Sequence, residues 1–335
     1  MNDRAVSLLE QYDIEVVRTR KGRGSILCES RQGLFTLKEF AGTNEKAELM
    51  DMLLVQMQEQ LPQNIRVEYI LKNKEGKLLT EDGDGIKYIV KSWYDGRECN
   101  VKDKAECEAA IGVLADLHNT MTLRENSDKI ISSECVTSFC LSNEYLRHNK
   151  ELKRVRRFLK EKSQKTDFEI FLNKHYDFYL NQAEQIFDDY SKYCFIENLA
   201  EVNGSIIMCH GDYQYHNIII TDSGTSVINF DKLIIDRQIR DLYLFMRKIL
   251  EKSNWSKEMG ESLLSAYDKV RPLSIDDRIS LYYRFAYPEK FWKIVNFYYN
   301  SRKSWIPGKN MEKLQKVLAQ ENDKQKFLDE VLGKV

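Results

Sequence analysis

Proline is scarce, at four in 335 residues, and no two cysteines stand in a C-x-x-C spacing. The first leaves no room for a proline-rich linker, and no low-complexity stretch or internal repeat takes its place. The second, with an odd count of seven cysteines (Cys28, Cys99, Cys107, Cys135, Cys140, Cys194 and Cys209), argues against a zinc site and a disulfide framework; reduced, packed thiols are expected. Net charge is nearly absent too, because 51 Lys and Arg face 52 Asp and Glu. No whole-molecule field therefore favours nucleic acid or an anionic membrane, and neither is expected as a partner. No apolar run approaches the roughly 18 residues of a membrane span, and the first residues lack a basic region followed by an apolar stretch. Synthesis in the cytosol is the expectation.

What is present is a chain with 42% apolar and 11% aromatic residues, enough for a large core and two lobes. After a short amphipathic opening helix, residues 15–20, 25–29 and 34–39 read as strands separated by glycine turns. Residues 44–60 carry Leu49, Leu53 and Met57 at helical spacing, with Thr43 or Asn44 as N-cap and Pro62 beyond the end. Residues 67–71 and 86–90 read as two more strands, flanking an acidic glycine turn. From Lys102 onward helical patterns dominate, at 143–165, 167–190 and 257–269, except for short apolar runs around a polar centre at 206–221 and 226–235. The predicted class is α+β: a small antiparallel five-stranded lobe with one helix, and a large, mostly helical lobe.

The polar centre reads Cys209-His210-Gly211-Asp212-Tyr213-Gln214-Tyr215-His216-Asn217, then Ile218-Ile219-Ile220, a turn, and Val227-Ile228-Asn229-Phe230-Asp231. This resembles the catalytic segment of aminoglycoside and choline kinases, H-G-D-x-x-x-x-N followed by I-D-[FWY]-[DE]. The resemblance implies a two-lobed protein-kinase-like fold, with residues 1–91 as the nucleotide-binding lobe, 92–96 as hinge, and 97–335 as the helical lobe carrying the catalytic loop at 209–217 and the metal segment at 227–231. It implies Asp212 as the carboxylate that accepts a substrate hydroxyl proton and Asn217 as an oxygen ligand of Mg2+ bound with ATP. His210 reads as a buried brace. Taken alone, His210-x-Asp212 is equally a loop whose side chains cap backbone groups.

Lys38, at the end of the third predicted strand, resembles the kinase lysine that contacts nucleotide phosphates, with Glu48 rather than Glu45 as its expected partner. Gly22 and Gly24 resemble a phosphate-facing turn that lacks the third glycine of G-x-G-x-x-G. Ser92 and Trp93 fall where a kinase hinge would hold adenine, although Trp93 and Tyr94 serve equally well as core. One departure stands out. Where the family pattern has a metal-binding aspartate this chain has Asn229, with a carboxylate displaced to Asp231, and a neutral amide is the weaker ligand for a hard divalent ion. Asp241 resembles an aspartate that braces the loop. The basic stretch at 147–165 reads as a solvated helix face, with an anionic partner as the alternative.

Over almost its whole length the sequence is similar to the CotS-type spore coat proteins of endospore-forming bacteria. The resemblance is strongest at residues 94–98, 227–242 and 287–305, and the last stretch reads bottom-up as an aromatic helix packed on the large lobe. It implies a spore coat location after synthesis in the mother cell, and other coat proteins as partners. Two functions are expected from it. One is an ATP- and Mg2+-dependent phosphotransferase acting on a hydroxyl of a small molecule or coat saccharide. The other is a degenerate kinase-fold coat component that binds partners and catalyses nothing.

Overall fold

The computed structural model describes residues 7–123, 140–193, 201–202, 205–300 and 307–333. Cys135, Cys194 and the end of the 287–305 stretch lie outside the described residues. The described cysteines Cys28, Cys99, Cys107, Cys140 and Cys209 form no disulfide. Of the described residues, the chain divides into two compact units, one within 1–138, 200–245 and 266–272 and the other within 139–199, 246–265 and 273–335.

The first unit opens on β1 (Val16–Lys21), β2 (Ile26–Ser30) and β3 (Gly33–Glu39), followed by α1 (Asn44–Gln60). Thr43 caps α1 by accepting the Lys46 N–H at 3.2 Å, and the helix ends at Gln60, two residues before Pro62. It buries Ala47, Leu49, Met50, Leu53, Leu54 and Met57. Then come β4 (Ile65–Val67), β5 (Leu79–Glu81), β6 (Lys87–Ser92) and β7 (Arg97–Glu98). The five-stranded antiparallel sheet runs β1-β2-β3-β6-β5.

Its membership corrects the expectation that residues 67–71 complete it. The edge strand is β5, whose Leu-Thr-Glu is too short and polar to read as a strand. Ile65–Val67 leaves for a second sheet, where it pairs in parallel with a strand about 160 residues away, and only an isolated bridge from Ile70 to Lys91 remains.

Strand alternation sets up the site. Phe35, Leu37 and Val90 pack with Leu8, Leu9, Tyr12 and Cys28 on one face of the sheet. In the β3–β6 register Leu37 lies opposite Val90, Thr36 opposite Lys91 and Lys38 opposite Ile89. Lys38 and Lys91 therefore share the other face, away from that core.

The helix α2 (Lys104–Thr120) follows, capped by Asp103, and then β8 (Thr122–Leu123). The chain returns to this unit through β9 (Glu201–Val202), β10 (Ser205–Cys209), β11 (Ile218–Thr221), β12 (Gly224–Val227) and β13 (Ile234–Ile235). Two small sheets result, β13-β10-β8 with β9 on β10, and β4-β12-β11-β7.

The second unit is helical among its described residues and opens on α3 (Leu141–Glu161) and α4 (Asp167–Tyr193). Phe291 packs edge-on to Tyr176 and stacked on Tyr179, Tyr145 stacks on Tyr287, and Trp292 donates to Glu151 at 2.7 Å. The described part of the 287–305 stretch thus packs as an aromatic helix. Three members of the basic stretch are tied to acids of α4: Arg156 to Asp177, Lys162 to Glu169 and Lys153 to Glu184. Among the described residues, no helix is long and apolar enough to cross a membrane.

Candidate functional site

The polar loop joins β10 to β11 and is braced from behind. The two oxygens of the buried Asp241 accept the backbone N–H groups of His210 (2.6 Å) and Gly211 (3.0 Å). Burial pushes the Asp241 carboxyl up, but the His118 contact, the nearby imidazoles and the His210 amide outweigh it and hold it below its ordinary value. His210 is fully buried. Its Nδ1 accepts the Asp212 N–H at 3.1 Å, which leaves the proton on Nε2 to be donated to the Ile228 carbonyl at 3.0 Å. An imidazole with both nitrogens engaged by backbone groups is a brace.

Gly211 is required here. It has φ +78°, and an added Cβ would lie 1.9 Å from the Lys232 carbonyl oxygen. Gly211→Ala is expected to cost about 2 kcal/mol or more, the left-handed conformation accounting for roughly 1–2 of it. Urea denaturation checks this; unchanged stability would mean that the loop can move away from Lys232.

Five of the expected residues meet. The Lys38 ammonium donates to Asn229 Oδ1 at 3.0 Å and to Asp231 Oδ2 at 2.6 Å. Asn229 Nδ2 donates to Asn217 Oδ1 at 2.9 Å, and Asn217 Nδ2 donates to the Asp212 carbonyl at 2.8 Å. Asn229 is left-handed, with φ 73°, a conformation that asparagine tolerates better than most residues; it turns the chain into the short 3-10 segment Phe230–Lys232. The Asp212 carboxylate is held by Lys232 at 2.9 Å through Oδ2. Among the described residues Oδ1 has no partner.

The other expectations fall elsewhere. Glu48 is exposed on α1, where it lines a polar cavity of about 660 Å3 with Asn44, Asp51 and Lys72. No ion pair joins it to Lys38 among the described residues. Ser92 is tied to Tyr69 through both its N–H and its Oγ, and the Trp93 N–H donates to the Leu34 carbonyl at 2.8 Å. Trp93 lines a separate cavity with Arg18, Leu27 and Phe35. Gly22 and Gly24 form the β1–β2 turn, closed by the Gly22 N–H on the Ser25 carbonyl. Between them, Arg23 reaches the loop electrostatically. Burial first, and the Arg23 charge next, hold the His216 imidazole below its ordinary value.

Three residues escaped the sequence reading: Lys91, Glu68 and Lys232. The Lys91 ammonium is buried and donates to Glu68 Oε1 at 2.8 Å and to Asp231 Oδ1 at 2.6 Å. Glu68 Oε1 also accepts the Phe230 N–H at 2.9 Å. The parallel pairing of β4 with β12 explains the meeting, since Glu68 follows β4 as residues 228–230 follow β12. Burial pushes the Asp231 carboxyl up, but the Lys91 and Lys38 ammoniums win and hold it at about 2. Burial likewise depresses Lys91, and Glu68 and Asp231 more than restore it.

Among the described residues, no three His, Cys, Asp or Glu side chains are arranged to hold a metal ion. The donors assigned to Mg2+ are one carboxylate and two amide oxygens. Asn229 Oδ1 and Asp231 Oδ2 already converge on a cation, the Lys38 ammonium. Such oxygen donors fit an Mg2+ that arrives with most of its shell made of nucleotide phosphate and water; they do not fit a resident ion.

This geometry has relatives. Residues 5–331 match the family described as "Spore coat putative kinase YutH". The chain belongs to that family. Spore coat protein S of Bacillus subtilis (strain 168) is 28% identical over 125 residues, a match spanning 37% of this chain and 36% of that protein. Among solved structures, an aminoglycoside phosphotransferase from Alicyclobacillus acidocaldarius superposes with a TM-score of 0.80 at 17% identity, covering 96% of this chain and 93% of its own. Spectinomycin phosphotransferase APH(9)-Ia, in complex with ADP and spectinomycin, gives 0.65 at 13% identity, covering 96% and 97%. At these identities the likeness is one of fold, and that fold is the protein-kinase-like one. Family membership associates the chain with the spore coat.

Proposed function

We propose that this chain is a phosphotransferase of the spore coat that binds ATP at Lys38 and transfers the terminal phosphoryl group to a hydroxyl of a small molecule or coat saccharide. The observation that carries the reading is the convergence of Lys38, from the sheet, on Asn229, Asp231 and Asn217, with Asp212 beside them. Lys38 is 28% exposed, so its ammonium can exchange Asp231 for phosphate oxygens without a buried charge being created. The phosphotransferase bound to ADP and spectinomycin supports the same ligand classes for this fold.

In the reaction, an acceptor oxygen forms a bond to the terminal phosphorus as the bridging P–O bond breaks, and ADP leaves with the electron pair. Asp212 orients the hydroxyl and takes its proton. Lys232 keeps the Asp212 carboxylate directed. Mg2+ brought with the nucleotide, held by Asp231, Asn217 and Asn229, would supply charge neutralisation at the phosphates. The lobes belong to the same reading, with residues 1–91 as nucleotide lobe, 92–96 as hinge and 97–335 as helical lobe. So do synthesis in the mother-cell cytosol and contact with other coat proteins.

A second reading, a coat component that binds nucleotide or partners without turnover, is favoured by one feature. The single carboxylate of the metal segment, Asp231, is spanned by two lysines, and the amide of Asn229 turns its N–H toward Asn217. ADP release measured with a panel of polyols and saccharides separates the two. Under the first reading Asp212→Asn lowers turnover by about two orders of magnitude or more while nucleotide still raises the melting temperature. No turnover with any acceptor, alongside retained nucleotide binding, supports the second.

A further inference from the structure

We infer that Lys91 is a built-in counter-cation for Asp231, so that the site holds a nucleoside di- or triphosphate whether or not a divalent metal is present. The inference rests on the nucleotide reading above and deepens it. Lys91 acts through Asp231 and is a positioning residue.

The two lysines on Asp231 differ in what they can do. Lys91 is 1% exposed and anchored by Glu68, itself 1% exposed, whose Oε1 also receives the Phe230 N–H. It cannot leave without abandoning the buried carboxylate of Glu68 and the half-buried one of Asp231. Lys38 shares the same carboxylate through the other oxygen and has solvent access, so it is the cation that an incoming phosphate can recruit. When Lys38 turns to phosphate, Asp231 keeps Lys91 at 2.6 Å, and that ammonium offsets part of its charge.

The charges balance without metal. Lys38 and Lys91 contribute two positive charges, and Asp231 and Glu68 two negative ones. Asn229 adds none, and its side chain is spent on Lys38 and Asn217. An aspartate at 229 would leave the same cluster one negative charge in excess beside the phosphates, and a divalent ion would then be needed to bridge them. The amide at 229 and the lysine at 91 act in one direction, each removing part of the demand for metal.

The test is titration calorimetry of ADP and ATP into the full chain, once with EDTA and once with excess Mg2+. The expected result is a Kd that differs by no more than about threefold between the two conditions. Binding at least tenfold tighter with Mg2+ overturns the inference and leaves the nucleotide reading standing; no binding in either overturns both. Two variants assign the effect. Asn229→Asp should weaken metal-free binding by about tenfold or more while binding with Mg2+ holds or tightens. The paired change Lys91→Met with Glu68→Gln, which removes one charge of each sign, should produce the same shift toward metal dependence. A ratio of affinities unchanged in Asn229→Asp, or in a folded double variant, overturns the role given to Lys91. A purely structural role would lower both affinities together and leave their ratio where it was.

Discussion

Lys91→Met is expected to cost about 3–5 kcal/mol of folding stability, the range typical of removing one partner from a buried ion pair. The substitution keeps the length of the side chain but strands Glu68, 1% exposed, and leaves Asp231 with Lys38 alone. Adding Glu68→Gln should recover much of the loss, because a buried amide can still accept the Phe230 N–H. Urea denaturation of the two variants measures both effects. A loss under about 1 kcal/mol for Lys91→Met would mean that water reaches the site and the pair is not a true interior contact. The pH dependence has a defined sign. The Asp231 carboxyl is held at about 2 in the folded chain, against roughly 3.9 when unfolded, so its stabilisation is complete above pH ~4 and is lost as pH falls from about 4 to about 2. Asp231→Asn should remove that part of the acid dependence.

Lys38→Ala is expected to abolish the rise in melting temperature that ATP produces. A ligand at a hundredfold over its Kd stabilises the folded chain by ~2.7 kcal/mol, so the difference between parent and variant is well within reach of a thermal melt. The variant should itself be close to the parent in stability, because the ion pair it loses is partly exposed and Lys91 still holds Asp231. Equal shifts in both proteins would remove Lys38 from the ligand site.

The parts of this site that were legible in the sequence are those whose partners lie within one local segment. Asp212 and Asn217 stand five apart in one loop, and Asn229 and Asp231 follow one short hairpin, so resemblance to the kinase motif groups them within one segment. Lys38 could be added because it resembles the kinase strand lysine, and strand alternation does turn it away from Phe35 and Leu37. Glu48 could not be placed the same way. Helical periodicity shows which face of α1 is buried but not which exposed residue reaches across to β3, and Glu48 faces another cavity.

Lys91 and Glu68 were illegible for a related reason. Each looks like a charged interruption at the edge of an apolar strand, ordinarily a solvated position. They are buried because β4 abandons the large sheet for a parallel partner beside the 209–217 loop, a pairing over about 160 residues that local pattern does not encode. The same rearrangement accounts for the misplaced fifth strand. His210 and Asp241, by contrast, were read as braces, and their contacts are with backbone amides of the loop.

On nucleotide binding, Lys38 is expected to leave Asp231 for the phosphates while Lys91 stays. A crystal structure of the chain with ADP tests it most directly. The expected result is the Lys38 ammonium within hydrogen-bond reach of a phosphate oxygen, with Asp231 still on Lys91 and Glu68 still on the Phe230 N–H. ADP bound in the cavity beside Glu48 and Lys72, or bound with Lys38 still seated on Asn229 and Asp231, would contradict it.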